Sequence, residues 1–183
     1  MMRIITGSAR GIKLKTLEGE ATRPTAERVK EAVFSKIQFD IEGRSILDLF
    51  AGSGQLALEA LSRGAKNAVL IDSSTEAIKI IKENATKTKL YDRCQIYNGN
   101  ALDFIRRSNG DKFDIIFLDP PYASKLYSPI LDALYKSNIL KPTTILICES
   151  DFDFFDDDLL TKYEIVNKSQ YGRIIINIIK PIL

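Results

Sequence analysis

FDIIFLDPPY, residues 113–122, decides how the rest of the chain reads. Phe113, Ile115, Ile116, Phe117 and Leu118 make an apolar run of strand length, the pattern of a strand buried on both faces. Asp119-Pro120-Pro121-Tyr122 then ends it, because two prolines cannot donate to a sheet ladder. The result is a stiff turn at the carboxyl end of a central strand, where open α/β sheets bind their ligands. It offers a carboxylate, the Pro120 carbonyl and an aromatic ring. A planar molecule with an amino group suits such a corner: Tyr122 stacks on its ring, and Asp119 and the Pro120 carbonyl accept its N–H groups.

The chain has 183 residues, enough for one domain with a proper core. Its 45% hydrophobic and 27% charged residues are ordinary for a water-soluble globular protein. No apolar run reaches membrane-span length, and the first residues lack a signal-type apolar core, so a cytoplasmic location is expected. Cys94 and Cys148 lie apart in apolar segments and read as small core residues. Histidine is absent, which excludes Ser-His and Cys-His catalysis and His-ligated zinc; no metal is expected. Acid–base work falls to carboxylates, lysines or tyrosines. Net charge is +2 but unevenly spread. Residues 1–36 hold eight Lys/Arg against four Glu, while residues 149–158 hold six carboxylates and no cation. The basic start is compatible with a phosphate-rich partner.

Outward from the organising strand, the pattern is α/β. Residues 2–6 and 12–17 read as a hairpin around Gly7–Gly11, followed by a helix over 25–38 with Thr25 as N-cap. Strands are expected at 46–50, 67–71, 93–97, 113–118 and 144–148. Helices at 55–63, 75–87, 101–107 and 125–137 alternate with them. A loop over 149–158 and two final strands, 162–168 and 173–179, close the chain. The alternation implies a Rossmann-like, seven-stranded and mostly parallel sheet with an antiparallel C-terminal hairpin strand. Residues 1–44 read as a small β-hairpin-plus-helix extension, and 45–183 as the ligand-binding core of the same domain.

Asp48-Leu49-Phe50-Ala51-Gly52-Ser53-Gly54 lies between a strand and a helix, where glycines admit a ligand close to the backbone. Asp72 follows Gly52 by twenty residues, at the next strand end, where a carboxylate holds ribose hydroxyls. With Ala57 this matches a dinucleotide fingerprint, so a nicotinamide-dependent oxidoreductase competes. Two features oppose it. Asp48 would repel a pyrophosphate and favours a cationic ligand such as S-adenosyl-L-methionine. The Asp119–Tyr122 corner also has no role in a dinucleotide site.

These residues resemble the class I S-adenosylmethionine-dependent methyltransferases that modify amino groups. Residues 5–16 (ITGSARGIKLKT), 22–34 (TRPTAERVKEAVF), 46–65 (ILDLFAGSGQLALEALSRGA) and 113–122 together are similar to the family that methylates N2 of a guanine, guanine 966, in bacterial 16S ribosomal RNA. The glycine loop and the proline corner mark only the superfamily; the 22–34 segment points to this family. The resemblance implies that Asp48, Ala51, Gly52 and Gly54 hold the methionine part of S-adenosyl-L-methionine, Asp72 the ribose, and Asn100 and Ala101 the adenine. Asp119, Pro120 and Tyr122 would be catalytic, with Pro121 against the base. Arg10, Lys13, Lys15, Arg23 and Arg28 would touch RNA phosphate, Arg23 nearest the active site. The implied partner is 16S rRNA in an assembling 30S particle, met by a monomer. This chain departs from the family in having Asp72 where Glu is common and Asn100 where Asp is usual. The acidic 149–158 loop is expected to point away from the RNA. An adenine-N6 DNA methyltransferase shares the proline corner but usually carries a target-recognition domain for which there is no room. A catalytically silent RNA-binding module on the same scaffold is a further alternative.

Overall fold

The computed structural model describes residues 2–18, 24–121 and 125–183, with only the backbone of Pro24 and Thr25. Seven strands form one sheet among these residues: β1 (Ser45–Asp48), β2 (Asn67–Asp72), β3 (Cys94–Asn98), β4 (Ile115–Leu118), β5 (Ile145–Ser150), β6 (Tyr163–Tyr171) and β7 (Ile174–Pro181). Their order is β3-β2-β1-β4-β5-β7-β6. The first five are parallel, and β7 runs antiparallel to both β5 and β6. The chain builds outward from β1 in one direction and from β4 in the other. The crevice between β1 and β4 is therefore a topological switch point, where such sheets bind ligands.

Side-chain alternation along the buried strands sorts the core into two layers. Ile115 and Phe117 of β4, with Ile145 and Ile147 of β5, face a cluster covered by α1 (Pro24–Lys36), α2 (Gln55–Ser62) and α3 (Thr75–Lys87). Ile116 and Leu118, with Leu146 and Cys148, face a second cluster covered by α4 (Ala101–Arg107), α5 (Tyr127–Lys136) and α6 (Asp157–Lys162). No helix among the described residues is long and apolar enough to cross a membrane.

The expected architecture is present, with local differences. The N-terminal segment pairs as a hairpin through Ile4 N to Ile12 O (3.0 Å) and Leu14 N to Met2 O (2.9 Å), but only Arg3 and Lys13 form a sheet bridge. Its turn is held to α2 instead: Ser8 N donates to Ser62 O, and a Cβ on Gly7 (φ +90°) would fall 1.8 Å from that oxygen. Helix α1 starts at Pro24, so Thr25 lies inside the first turn and is not the cap; proline suits this position because its missing N–H would have no helical partner. The 149–158 segment is not all loop. Glu149 and Ser150 complete β5, and Asp156 caps α6 by accepting from Leu159 N at 2.9 Å. In the closing hairpin, β7 lies between β5 and β6.

The extension shares its core with the sheet, since Met2, Ile4, Leu14, Val33 and Phe34 pack in the cluster that holds Ile46 and Leu58. Glu59 of α2 is the polar anchor. It is fully buried and accepts from Ile5 N (2.7 Å), Thr6 N (3.0 Å) and Arg63 Nε (2.8 Å), with Lys30 Nζ of α1 at 3.6 Å. Lys30 also donates to the Arg3 carbonyl at 2.6 Å; burial lowers its pKa and Glu59 works against that. One carboxylate thus fastens residues 2–6 and α1 to α2. Replacing a buried, multiply paired carboxylate leaves uncompensated charge and donors behind. Glu59→Ala is expected to cost about 3–5 kcal/mol, read as a lower urea midpoint with an unchanged slope.

Candidate functional site

A cleft of about 980 Å³ runs over the carboxyl ends of the parallel strands. One end is built by the glycine loop. After β1 the chain stays tied to the sheet through Leu49 N to Phe117 O (3.3 Å) and Ala51 N to Ile71 O (2.9 Å). It then turns at Gly52 (φ 54°), whose N–H donates to Asp72 Oδ2 at 2.9 Å. The other Asp72 oxygen accepts from Ser74 N at 2.8 Å. Asp72 therefore clamps two loops, and a carboxylate has lone pairs left for hydroxyl donors. Gly52, Asp72, Ser73, Gly99, Asn100 and Ala101 line this end.

The other expected loop residues lie behind the wall. Asp48 is 1% exposed and Ala51 5%, and neither they nor Gly54 line the cleft. Gly54 (φ 79°) opens α2, and a Cβ there would press on Leu70 and Ile81 at 3.3–3.4 Å, so this glycine serves the packing of α2 and α3 on the sheet. Asn100 lines the cleft, but its amide oxygen caps α4, accepting from Leu102 N (2.8 Å) and Asp103 N (3.4 Å). That oxygen is thus already doubly engaged, which leaves the Asn100 amide N–H₂ and neighbouring backbone groups to face a ligand.

The opposite end is formed by Asp119, Pro120 and Pro121 after β4, by Glu149 of β5 and Ile176 of β7, and by Arg173 in the β6–β7 turn. Val29, Lys30 and Val33 of α1 complete it. Tyr122 and Arg23 lie outside the described residues. Arg10, Lys13, Lys15 and Arg28 are exposed and do not line the cleft. Lys15 ties the hairpin to α3, its side chain on Glu83 and its backbone on Asn84 (2.8–2.9 Å). Arg10 sits in the turn against Ser62, at the end of α2 remote from the glycine loop.

The acidic segment corrects an expectation, because Glu149 and Asp151 line the cleft and do not point away. The carboxylates beyond them do turn outward; Asp153 pairs with Lys168 at 2.6 Å. Burial pushes the Glu149 carboxyl up to about 7. Tyr127 braces the strand ends beneath it: its hydroxyl donates to Glu149 O and reaches Leu118 O at 3.4 Å, while its ring stacks on Phe154 at 3.9 Å. Burial raises the Tyr127 pKa, which keeps this donor protonated. Among the described residues no cluster of side chains suits a metal ion. The cations lining the cleft there are Lys30, turned to Glu59 and the Arg3 carbonyl, and Arg173. The Gly52–Asp72 end is thus acidic and matches a cationic or neutral ligand better than a pyrophosphate. Asp72→Ala is expected to speed deuterium exchange at the Gly52 and Ser74 amides about tenfold, the loss of one hydrogen bond each, as mass spectrometry would read.

A family model described as "Conserved hypothetical protein 95" matches residues 2–180. The chain is 37% identical over 154 residues to Ribosomal RNA small subunit methyltransferase D of Haemophilus influenzae, covering 83% of this chain and 80% of that protein. It is 34% identical over 152 residues to the protein of the same name from Escherichia coli K12, covering 83% and 76%. A solved Escherichia coli structure superimposes with a TM-score of 0.86 at 29% identity, covering 98% of this chain and 97% of that one.

Proposed function

The chain belongs to the family described as Conserved hypothetical protein 95, and from that membership we propose that it transfers a methyl group from S-adenosyl-L-methionine to the exocyclic N2 of a guanine, guanine 966, in 16S ribosomal RNA, within an assembling small-subunit particle. One observation carries the reading: a single cleft joins the Gly52–Asp72 clamp to the Asp119–Pro120 corner across the β1–β4 switch point.

The residues present fit this cofactor. The open backbone at Gly52 and the lone pairs left on Asp72 suit a ribose, and the scarcity of cations at that end suits a sulfonium. Asp48 lies buried directly beneath the loop. When bound, S-adenosyl-L-methionine supplies an electrophilic methyl group. This chain's part is to prepare the nitrogen that receives it. The guanine N2 lone pair is delocalised into the ring and is a poor nucleophile. Asp119 and the Pro120 carbonyl accept its two N–H bonds, pull the nitrogen toward tetrahedral geometry and aim the localised pair along the cleft. The Asp119 carboxylate then takes the released proton, so no histidine is needed. Tyr122 gives the extracted base a stacking surface, and the two prolines keep the corner from yielding.

Lys13, Lys15 and Arg28, with Arg10 and Arg23, make the phosphate contacts that position the RNA. The exposure of the four described cations supports this. Replacing Lys13, Lys15 and Arg28 together is expected to flatten the dependence of log binding constant on log salt by about two to three, read by filter binding.

The decisive test supplies tritiated cofactor and small-subunit particles from a strain lacking the protein, then identifies the labelled nucleoside. Label in N2-methylguanosine is expected; label in another nucleoside, or none, overturns the proposal. Asp119→Ala is expected to lower turnover about 10²–10³-fold while calorimetry shows unchanged S-adenosylhomocysteine affinity.

A further inference from the structure

We propose that Glu149 is the residue that selects guanine, by accepting the N1–H of the base whose N2 sits on Asp119 and Pro120. The inference rests on the function proposed above and names a recognition contact that the reading leaves unassigned.

Strands β4 and β5 pair in parallel register up to Leu118 opposite Cys148. Asp119 and Glu149 are each one residue further on, so they stand side by side on adjacent strands about 4.8 Å apart. Alternation settles the face. Phe117 and Ile147 lie in the cluster under α1, Leu118 and Cys148 in the opposite one, and the next pair returns to the α1 side, where the cleft is. Glu149 is held there firmly, since it is hydrogen-bonded in β5 opposite Ile176 of β7 and its carbonyl receives the Tyr127 hydroxyl. No hydrogen bond or ion pair among the described residues occupies its carboxylate, although the residue is half-buried. The charged groups sharing its wall of the cleft are Asp119, Asp151, Arg173 and Lys30, the last turned to Glu59.

A guanine presents N1–H beside its N2 amino group, two adjacent donor sites. A base gripped at N2 by Asp119 and Pro120 brings N1–H toward the neighbouring strand end. Adenine presents an acceptor lone pair at the ring nitrogen beside its amino group, which a carboxylate repels. The position is unfavourable for stability. Burial holds the Glu149 carboxyl near 7, above the usual carboxylate value, so the ionised form opposes folding. That penalty is complete above about pH 7 and absent below the unfolded-state value.

The test compares wild type with Glu149→Gln on an RNA spanning the nucleotide that wild type labels, carrying either guanine or 2-aminopurine there. 2-Aminopurine keeps the N2 amino group but has an acceptor at N1. Wild type is expected to prefer guanine by about 10²-fold in kcat/KM. In Glu149→Gln the amide can donate to that acceptor, so the preference collapses toward one. The variant is also expected to melt higher than wild type at pH 8 and to bind S-adenosylhomocysteine equally well. A Glu149→Gln enzyme that keeps the wild-type preference, whether its rates fall or not, overturns the inference while leaving guanine methylation intact. A wild-type enzyme that labels no guanine overturns the parent reading and this one with it.

Discussion

The hydrogen-bonded pairing of β4 between β1 and β5 sets everything that matters at the cleft. Asp48 stands opposite Phe117 on one side, and Leu118 opposite Cys148 on the other. Because strand side chains alternate strictly, this register decides at once which residues form the core and which reach the rim. A slip of one residue would exchange the two layers. It would turn Phe117 out of its cluster and drive Asp119 toward α5. The apolar packing that fixes the fold is therefore the same constraint that aims the carboxylate. The two prolines end the strand there, and the Tyr127 hydroxyl ties the ends of β4 and β5 together from below.

A second constraint supplies the roof. The wall that α1 contributes to the cleft belongs to a segment ahead of the sheet, with little regular pairing of its own. It stays in place through apolar packing and through Glu59, whose buried carboxylate gathers backbone N–H groups, Arg63 and Lys30. The exposed cations of that segment are thereby attached rigidly to the body that carries the corner. In the proposed function this couples RNA contact to delivery of the base.

Much of this was legible in the chain because its signals are local. The glycine loop, Asp72 and the proline corner each occupy a strand end, and turn chemistry marks strand ends plainly. What the sequence concealed depends on partners distant along the chain. Gly54 reads as a ligand glycine and serves the contact of α2 with Leu70 and Ile81. Asn100 reads as an adenine-binding residue and spends its amide oxygen on capping α4, a use that an Asn just ahead of a helix could have suggested. Asp48 reads as a residue that holds the methionine part of the cofactor, and its 1% exposure beneath the loop depends on packing that no local signal reveals. Helix α6 has six residues and one buried side chain, too few for any periodicity to show. Glu149 reads as part of an acidic loop because nothing local distinguishes it; only the β4–β5 register sets it beside Asp119. Tyr127 likewise gains its bracing role from two carbonyls on different strands.

In the proposed function, the donor and acceptor halves of one cleft meet at Asp119. A crystal structure with S-adenosylhomocysteine is the sharpest test. The ribose is expected on Asp72 beside Gly52, the sulfur turned toward Asp119 and Pro120, and the space between α1 and Glu149 left open for a base. A nucleoside seated between α1 and Glu149, or bound away from the Gly52 loop, would contradict it.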